Sequence, residues 1–85
     1  MDHSAHYARM IEYLKMEILR DPDVEIAPDT PLVSSGMVDS FSLIQVVQEL
    51  EKITALKIPP SKVAPRDLDT VSQMFATAGR VGTPR

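Results

Sequence analysis

The chain has 85 residues, 44% of them hydrophobic, and nine Lys and Arg against twelve Asp and Glu give a formal charge of −3. That length allows one domain with one core, the composition is ordinary for a folded protein, and the charge offers no basic footprint for a nucleic-acid backbone. The absence of Cys excludes disulfides, thiolate metal sites and a cysteine nucleophile, so any thiol chemistry would have to come from an added group.

No apolar run approaches the roughly 18 residues of a membrane span, and the start from Met1 to His6 lacks the basic and apolar regions of a secretory signal. A soluble, cytoplasmic, single-domain protein (residues 1–85) is expected, folded over about residues 4–78 and frayed over 79–85, where two Gly and a Pro leave little to bury.

From Ser4 to Arg20, Tyr7, Met10, Ile11, Leu14 and Ile18 recur at helical spacing with Glu12, Lys15 and Glu17 off the stripe, which predicts an amphipathic helix. Ser4 is the expected N-cap and Asp21-Pro22-Asp23 the stop. Pro22, Pro28, Pro31 and the turn former Asp29-Thr30-Pro31 predict a long ordered loop over residues 21–36, anchored by Leu32 and Val33. Gly36 can take positive φ, and Asp39-Ser40-Phe41-Ser42 supplies capping side chains for a second helix expected to begin near Ser40 and fade near Thr54.

In that helix Leu43, Val46, Val47 and Leu50 form the apolar stripe, while Gln45, Gln48, Glu49 and Lys52 lie opposite. Leu56, Lys57 and Ile58 read as a short extended link to Pro59-Pro60, residues 61–64 as one helical turn, and Pro65 to Leu68 as loop. Thr70-Val71-Ser72-Gln73 has the capping-box pattern, and Val71, Met74, Phe75 and Ala78 predict the last helix. The expected core sets Leu43, Val46, Val47 and Leu50 against Leu14, Ile18, Val71 and Phe75, with Met10, Met16, Met37 and Met74 as fillers or loop anchors.

Helix, proline-rich loop, helix beginning at a serine, short turn and final helix is the element order of acyl carrier proteins, which the chain resembles from about Tyr7 to Ala78. The sharpest part is Asp29-Thr30-Pro31-Leu32-Val33-Ser34-Ser35-Gly36-Met37-Val38-Asp39-Ser40-Phe41, which looks like the family's attachment loop, Gly-x-x-Asp-Ser followed by an apolar residue. Leu56-Lys57-Ile58-Pro59 and Leu68-Asp69-Thr70-Val71 resemble later landmarks. An Asp-Ser pair alone is usually a helix cap; three landmarks in register are a stronger signal. The resemblance implies an all-α, acyl-carrier-like bundle of three main helices plus a short helical turn. It also implies a 4'-phosphopantetheine arm joined covalently to Ser40 through a phosphodiester, carrying a thioester.

A Cys-free chain suits that chemistry, because no side-chain thiol competes for the carried group, and a helix N-terminus suits the phosphodiester charge. Ser40 would be an acceptor and not a catalyst. With two His near the start and no clustered acids around the serine, no self-contained active site is expected, and a phosphopantetheinyl transferase would supply base and metal. Asp39 has two readings, helix cap or aid in presenting Ser40 to that transferase. Phe41 and Ile44 fall off the apolar stripe and are either covered by the preceding loop or, with Gln48, form a contact for partner enzymes. His3 and His6 share a helix face without a carboxylate or thiolate companion, so no metal is assigned.

Besides the transferase, the implied partners of this expected monomer are an adenylating ligase or acyl loading enzyme and a downstream acceptor enzyme. Fatty-acid carriers are generally more acidic along the second helix, whereas Gln45, Gln48, Glu49, Glu51 and Lys52 stand here. Val38-Asp39-Ser40-Phe41 also resembles the attachment segment of D-alanyl and other free-standing aminoacyl carriers. An aminoacyl cargo is therefore favoured over a fatty-acid or polyketide acyl group, which stays open. A non-carrier helical interaction module, with Phe41 and Ile44 as docking patch, is the rival class.

Overall fold

The computed structural model describes residues 4–84. Helix α1 spans Ser4–Tyr13 and runs directly into a π-helical turn at Leu14–Ile18. Ser4 is already helical and is therefore not the cap expected there. The π turn widens the ladder: the Leu19 N–H donates to the Leu14 carbonyl and the Asp21 N–H to that of Lys15, both at 2.8 Å. Arg20 then turns left-handed (φ 54°) and ends the helix just ahead of Pro22. The wider turn breaks the 3.6-residue phase. Leu14 stays buried, Ile18 is half-buried, and Met16, expected as a filler, is exposed.

Residues 20–42 hold no strand and no regular helix, as the prolines require. Thr30 Oγ1 accepts from the Ala27 N–H at 2.8 Å while the Thr30 N–H donates to the Ala27 carbonyl at 3.1 Å, which closes the Pro28-Asp29 turn. Leu32 and Val38 are buried and Val33 half-buried, so the loop is pinned to the core at intervals.

Helix α2 covers Leu43–Thr54, beginning three residues after the start expected at Ser40. The reason is local. Asp39 Oδ1 accepts from the Ser42 N–H at 2.9 Å and the Leu43 N–H reaches the Ser40 carbonyl at 3.4 Å, so residues 40–42 form a capped turn leading into the helix. Ala55, left-handed at φ 58°, ends α2.

Strand β1 (Leu56–Lys57) follows, then two 3₁₀ turns at Pro60–Lys62 and Pro65–Leu68. The second replaces the loop expected over Pro65–Leu68. Pro65 presets φ at its first position, and the Asp67 carboxylate accepts from the Ala64 N–H at 2.9 Å. Helix α3 (Val71–Val81) is capped by Thr70 Oγ1, which accepts from the Gln73 N–H at 3.0 Å.

The tail expected to fray from Gly79 is helix and strand over most of its described part, which ends at Pro84. Helix α3 continues to Val81, and strand β2 (Thr83–Pro84) pairs antiparallel with β1, Leu56 opposite Pro84 and Lys57 opposite Thr83. Outside that two-residue ribbon the fold is all-α, three helices around one core. Leu43, Val46, Val47 and Leu50 pack in one cluster with Met10, Leu14, Val71, Met74, Phe75 and Ala78, with Ile18 and Met37 at its edge. No helix among the described residues is long and apolar enough to cross a membrane.

Candidate functional site

The loop before α2 is folded on itself. Ser35 Oγ donates to the Pro31 carbonyl at 2.7 Å, the Gly36 N–H donates to the Val33 carbonyl at 3.1 Å, and the Val38 N–H donates to the Leu32 carbonyl at 2.9 Å. Gly36 sits at φ 83°, where a Cβ is disfavoured. The buried Val38 then delivers Asp39 and Ser40 to the surface.

Ser40 is exposed, in the turn that Asp39 caps, so the capping reading of Asp39 is the one its hydrogen bond supports. Beside it, between α2 and the two 3₁₀ turns, lies a largely apolar cleft of about 360 Å³. Ser40, Leu43, Ile44, Val47, Ile58 and Leu68 are among its lining residues, with Gln48 on the same wall. Glu51 accepts from the Ile58 N–H at 2.8 Å and so ties the far wall back to α2. Of the expected contact residues, Ile44 (65% exposed) and Gln48 share this cleft with Ser40, whereas Phe41 (86% exposed) lies outside its lining. The loop covers neither Phe41 nor Ile44.

Sequence reasoning missed two features. One is the cleft, whose far wall includes Pro59, Pro60 and Pro65, prolines to which the sequence reading gave no part in a pocket. The other is Asp69, at the start of α3. Its Oδ1 accepts the N–H groups of Leu32 (3.2 Å), Val33 (2.8 Å) and Ser34 (2.8 Å), and its Oδ2 accepts from Ser34 Oγ at 2.9 Å. The Ser34 N–H and hydroxyl chiefly hold the carboxyl below its usual range; an opposing effect of burial comes next in size, ahead of the Val33 and Leu32 N–H groups that add to the lowering. Asp69 was visible as part of the Leu68-Asp69-Thr70-Val71 landmark ahead of a helix start; nothing local signals a partner 35 residues away.

The His6 ring stacks on Phe75, centroids 5.6 Å apart; His3 lies outside the described residues. No cluster of three His, Cys, Asp or Glu suited to a metal occurs among the described residues.

The family model described as phosphopantetheine attachment site matches residues 12–77, well over half of the chain. The chain belongs to the phosphopantetheine-binding carrier family. Its cofactor is 4'-phosphopantetheine, attached covalently, and carrier domains of this family are in general non-catalytic and work with modifying and partner enzymes. No curated protein and no solved structure matches the chain significantly.

The residues fit that cofactor. An exposed serine hydroxyl stands ahead of the N-terminus of α2, whose unpaired N–H groups suit a phosphodiester, and an apolar cleft runs from it.

Proposed function

We propose that the chain is a discrete, non-catalytic carrier that holds an aminoacyl or acyl group as a thioester on a 4'-phosphopantetheine arm at Ser40 and delivers it to partner enzymes. The observation that carries this reading is the state of the loop serines. Ser34 Oγ is committed to Asp69, Ser35 Oγ to the Pro31 carbonyl, and Ser42 is half-buried behind its own N–H bond to Asp39. Ser34 and Ser35 are exposed as well, but Ser40 alone of the four lines the cleft.

The chain's own residues do three things. Asp39 fixes the turn that offers the Ser40 hydroxyl as phosphoryl acceptor. The first turn of α2 provides a favourable field for the resulting negative charge. Ile44 and Gln48 give partner enzymes a contact beside the arm. When bound, the arm supplies the thiol on which the cargo is held, chemistry that no side chain of this Cys-free chain offers.

Two cargo readings have separate support. The mixed charge of α2, with Gln45, Gln48, Glu49, Glu51 and Lys52, argues against basic partners that select acidic carriers and favours an aminoacyl group loaded by an adenylating ligase. The apolar cleft at Ser40 favours a fatty or polyketide acyl chain that can be withdrawn from water.

Intact mass after incubation with a broad-specificity phosphopantetheinyl transferase and its donor tests the assignment. One added phosphopantetheine is expected on the wild type and none on Ser40→Ala. An unmodified wild type, or a modified Ser40→Ala, would reject it in favour of an interaction module or another site.

A further inference from the structure

We propose that Asp69 is a positioning residue for the modification of Ser40: its carboxylate sets the shape of the loop whose far end presents the serine hydroxyl. This rests on the reading of Ser40 as the attachment residue. Three successive N–H groups, those of Leu32, Val33 and Ser34, converge on one oxygen of Asp69, and the Ser34 hydroxyl binds the other. Successive N–H groups turned toward one point form an anion-binding concavity, and here the chain fills it with its own carboxylate.

The side that holds the carboxylate is built of regular turns and helix: Asp69 follows the Pro65–Leu68 turn, which Asp67 closes onto the Ala64 N–H, and precedes Thr70, the cap of α3. The side that is held, residues 32–42, has no helix or strand of its own.

The path from Asp69 to Ser40 is short. Val33 donates its N–H to Asp69 Oδ1 at 2.8 Å and accepts on its carbonyl the N–H of Gly36 at 3.1 Å, while the Leu32 N–H also reaches the Asp69 backbone carbonyl at 2.7 Å, a bond that any residue at this position keeps. Val38, two residues after Gly36, is buried, and Ser40 is two residues further on. A shift of Val33 is therefore passed through one backbone hydrogen bond to Gly36 and along the short run that seats Asp39 and Ser40. Ile44 and Gln48 belong to α2, whereas the hydrogen bonds of the Asp69 carboxylate go to residues 32–34. Loss of the carboxylate should thus misplace the reacting hydroxyl without altering the surface on which the transferase docks, and the two effects separate as kcat and KM.

The experiment measures kcat and KM of phosphopantetheine transfer, by intact mass, on the full chain as wild type, Asp69→Ala, Asp69→Glu and Asp69→Asn. The folded fraction of each is fixed by circular dichroism under the assay conditions. Asp69→Ala is expected to lower kcat roughly 10- to 100-fold with KM little changed. Asp69→Glu keeps the charge but moves the oxygens by one methylene, and should lose a similar factor. Asp69→Asn keeps one oxygen for the three N–H groups and offers an N–H to Ser34 Oγ, whose hydroxyl can accept, so it should stay near the wild-type kcat.

Folded Asp69→Ala and Asp69→Glu with wild-type kcat, a loss confined to KM, or a loss that merely follows the unfolded fraction would overturn the inference. If Asp69→Ala does not fold, Asp69→Glu against Asp69→Asn makes the same comparison. A wild type that takes up no phosphopantetheine, or a Ser40→Ala that does, is the separate failure of the Ser40 assignment.

Discussion

Val46 and Val47 are neighbours with the same side chain in different surroundings. Val46 is fully enclosed (0% exposed), while Val47 (8%) forms part of the cleft wall beside Ser40. Truncating either to Ala removes two carbons, worth about 1.6 kcal/mol of transfer free energy at ~0.8 kcal/mol per buried CH₂. At Val46 the vacated space stays closed, and a residual void of roughly 50 Å³ adds about 1.2 kcal/mol at ~24 cal/mol per Å³. At Val47 the void merges with the cleft and opens to water, so the second contribution largely vanishes. Val46→Ala is therefore expected to cost about 2.5–3 kcal/mol and Val47→Ala about 1.6 kcal/mol. Urea denaturation of the three proteins reads this as a difference in midpoint at constant slope. In a chain of this size each kcal/mol also moves Tm by about 4–8 °C, so thermal unfolding resolves the order independently. Equal costs, or a larger cost at Val47, would refute the reasoning that Val47 borders open space, and with it the continuity of the cleft with the α2 core stripe.

Ile44→Glu should leave Tm nearly unchanged, because the side chain is mostly exposed, while loading by the partner enzyme slows; a large fall in Tm with normal loading of the folded fraction would place Ile44 in packing. Gly79→Ala and Gly82→Ala should move stability in opposite directions in urea titrations. At Gly79, inside α3, a Cβ meets nothing within 4 Å and should gain about 0.5–1 kcal/mol, whereas at Gly82 it would collide with the Ala78 carbonyl oxygen and come 3.0 Å from the Leu56 Cβ. Asp69, with its carboxyl held below the usual range, favours folding above the unfolded value near ~3.9 and loses that contribution as pH falls through the folded one. The Tm advantage of wild type over Asp69→Asn should accordingly shrink on acidification below about pH 4; a constant difference down to the acid limit would show that the ionised carboxylate contributes nothing.

The helices were legible because each carries an apolar stripe at its own period, and every residue of the stripes expected in α2 and α3 is buried, with Ile53 and Thr77 buried in addition. What departed from the reading did so where a longer-range or less regular contact intervened. Met16 is exposed because a π turn changes the phase midway through the first helical segment, and periodicity at 3.6 residues per turn carries no information about such a change. The tail beyond Gly79 looked frayed because two Gly and a Pro bury little; its order comes from pairing with Leu56–Lys57, about 25 residues back. Pro65 to Leu68 read as loop on the strength of one proline, although a proline at the first position of a helical turn is as favourable as one in a loop.

The site divides along the same line. Ser40 and Asp39 stood out in the sequence because the motif that suggests attachment is contiguous, while the position of Phe41 and Ile44 off the stripe left open the loop cover that the structure does not provide. The cleft was not readable, since its walls come from α2 and from two separate turns, and that bears directly on the cargo. Charge along α2 speaks only to which partner surface approaches; the cleft speaks to what the arm carries. An alkyl chain gains roughly 0.8 kcal/mol for each methylene it buries there, whereas an aminoacyl ammonium entering the same space gives up hydration against which the largely apolar lining sets only the Glu51 carboxylate and the Gln48 amide as acceptor side chains beside Ser40. An aminoacyl cargo would therefore leave the cleft to the arm itself, and a fatty one would fill it, so the same wall at Val47 and Leu68 serves different ends in the two cases.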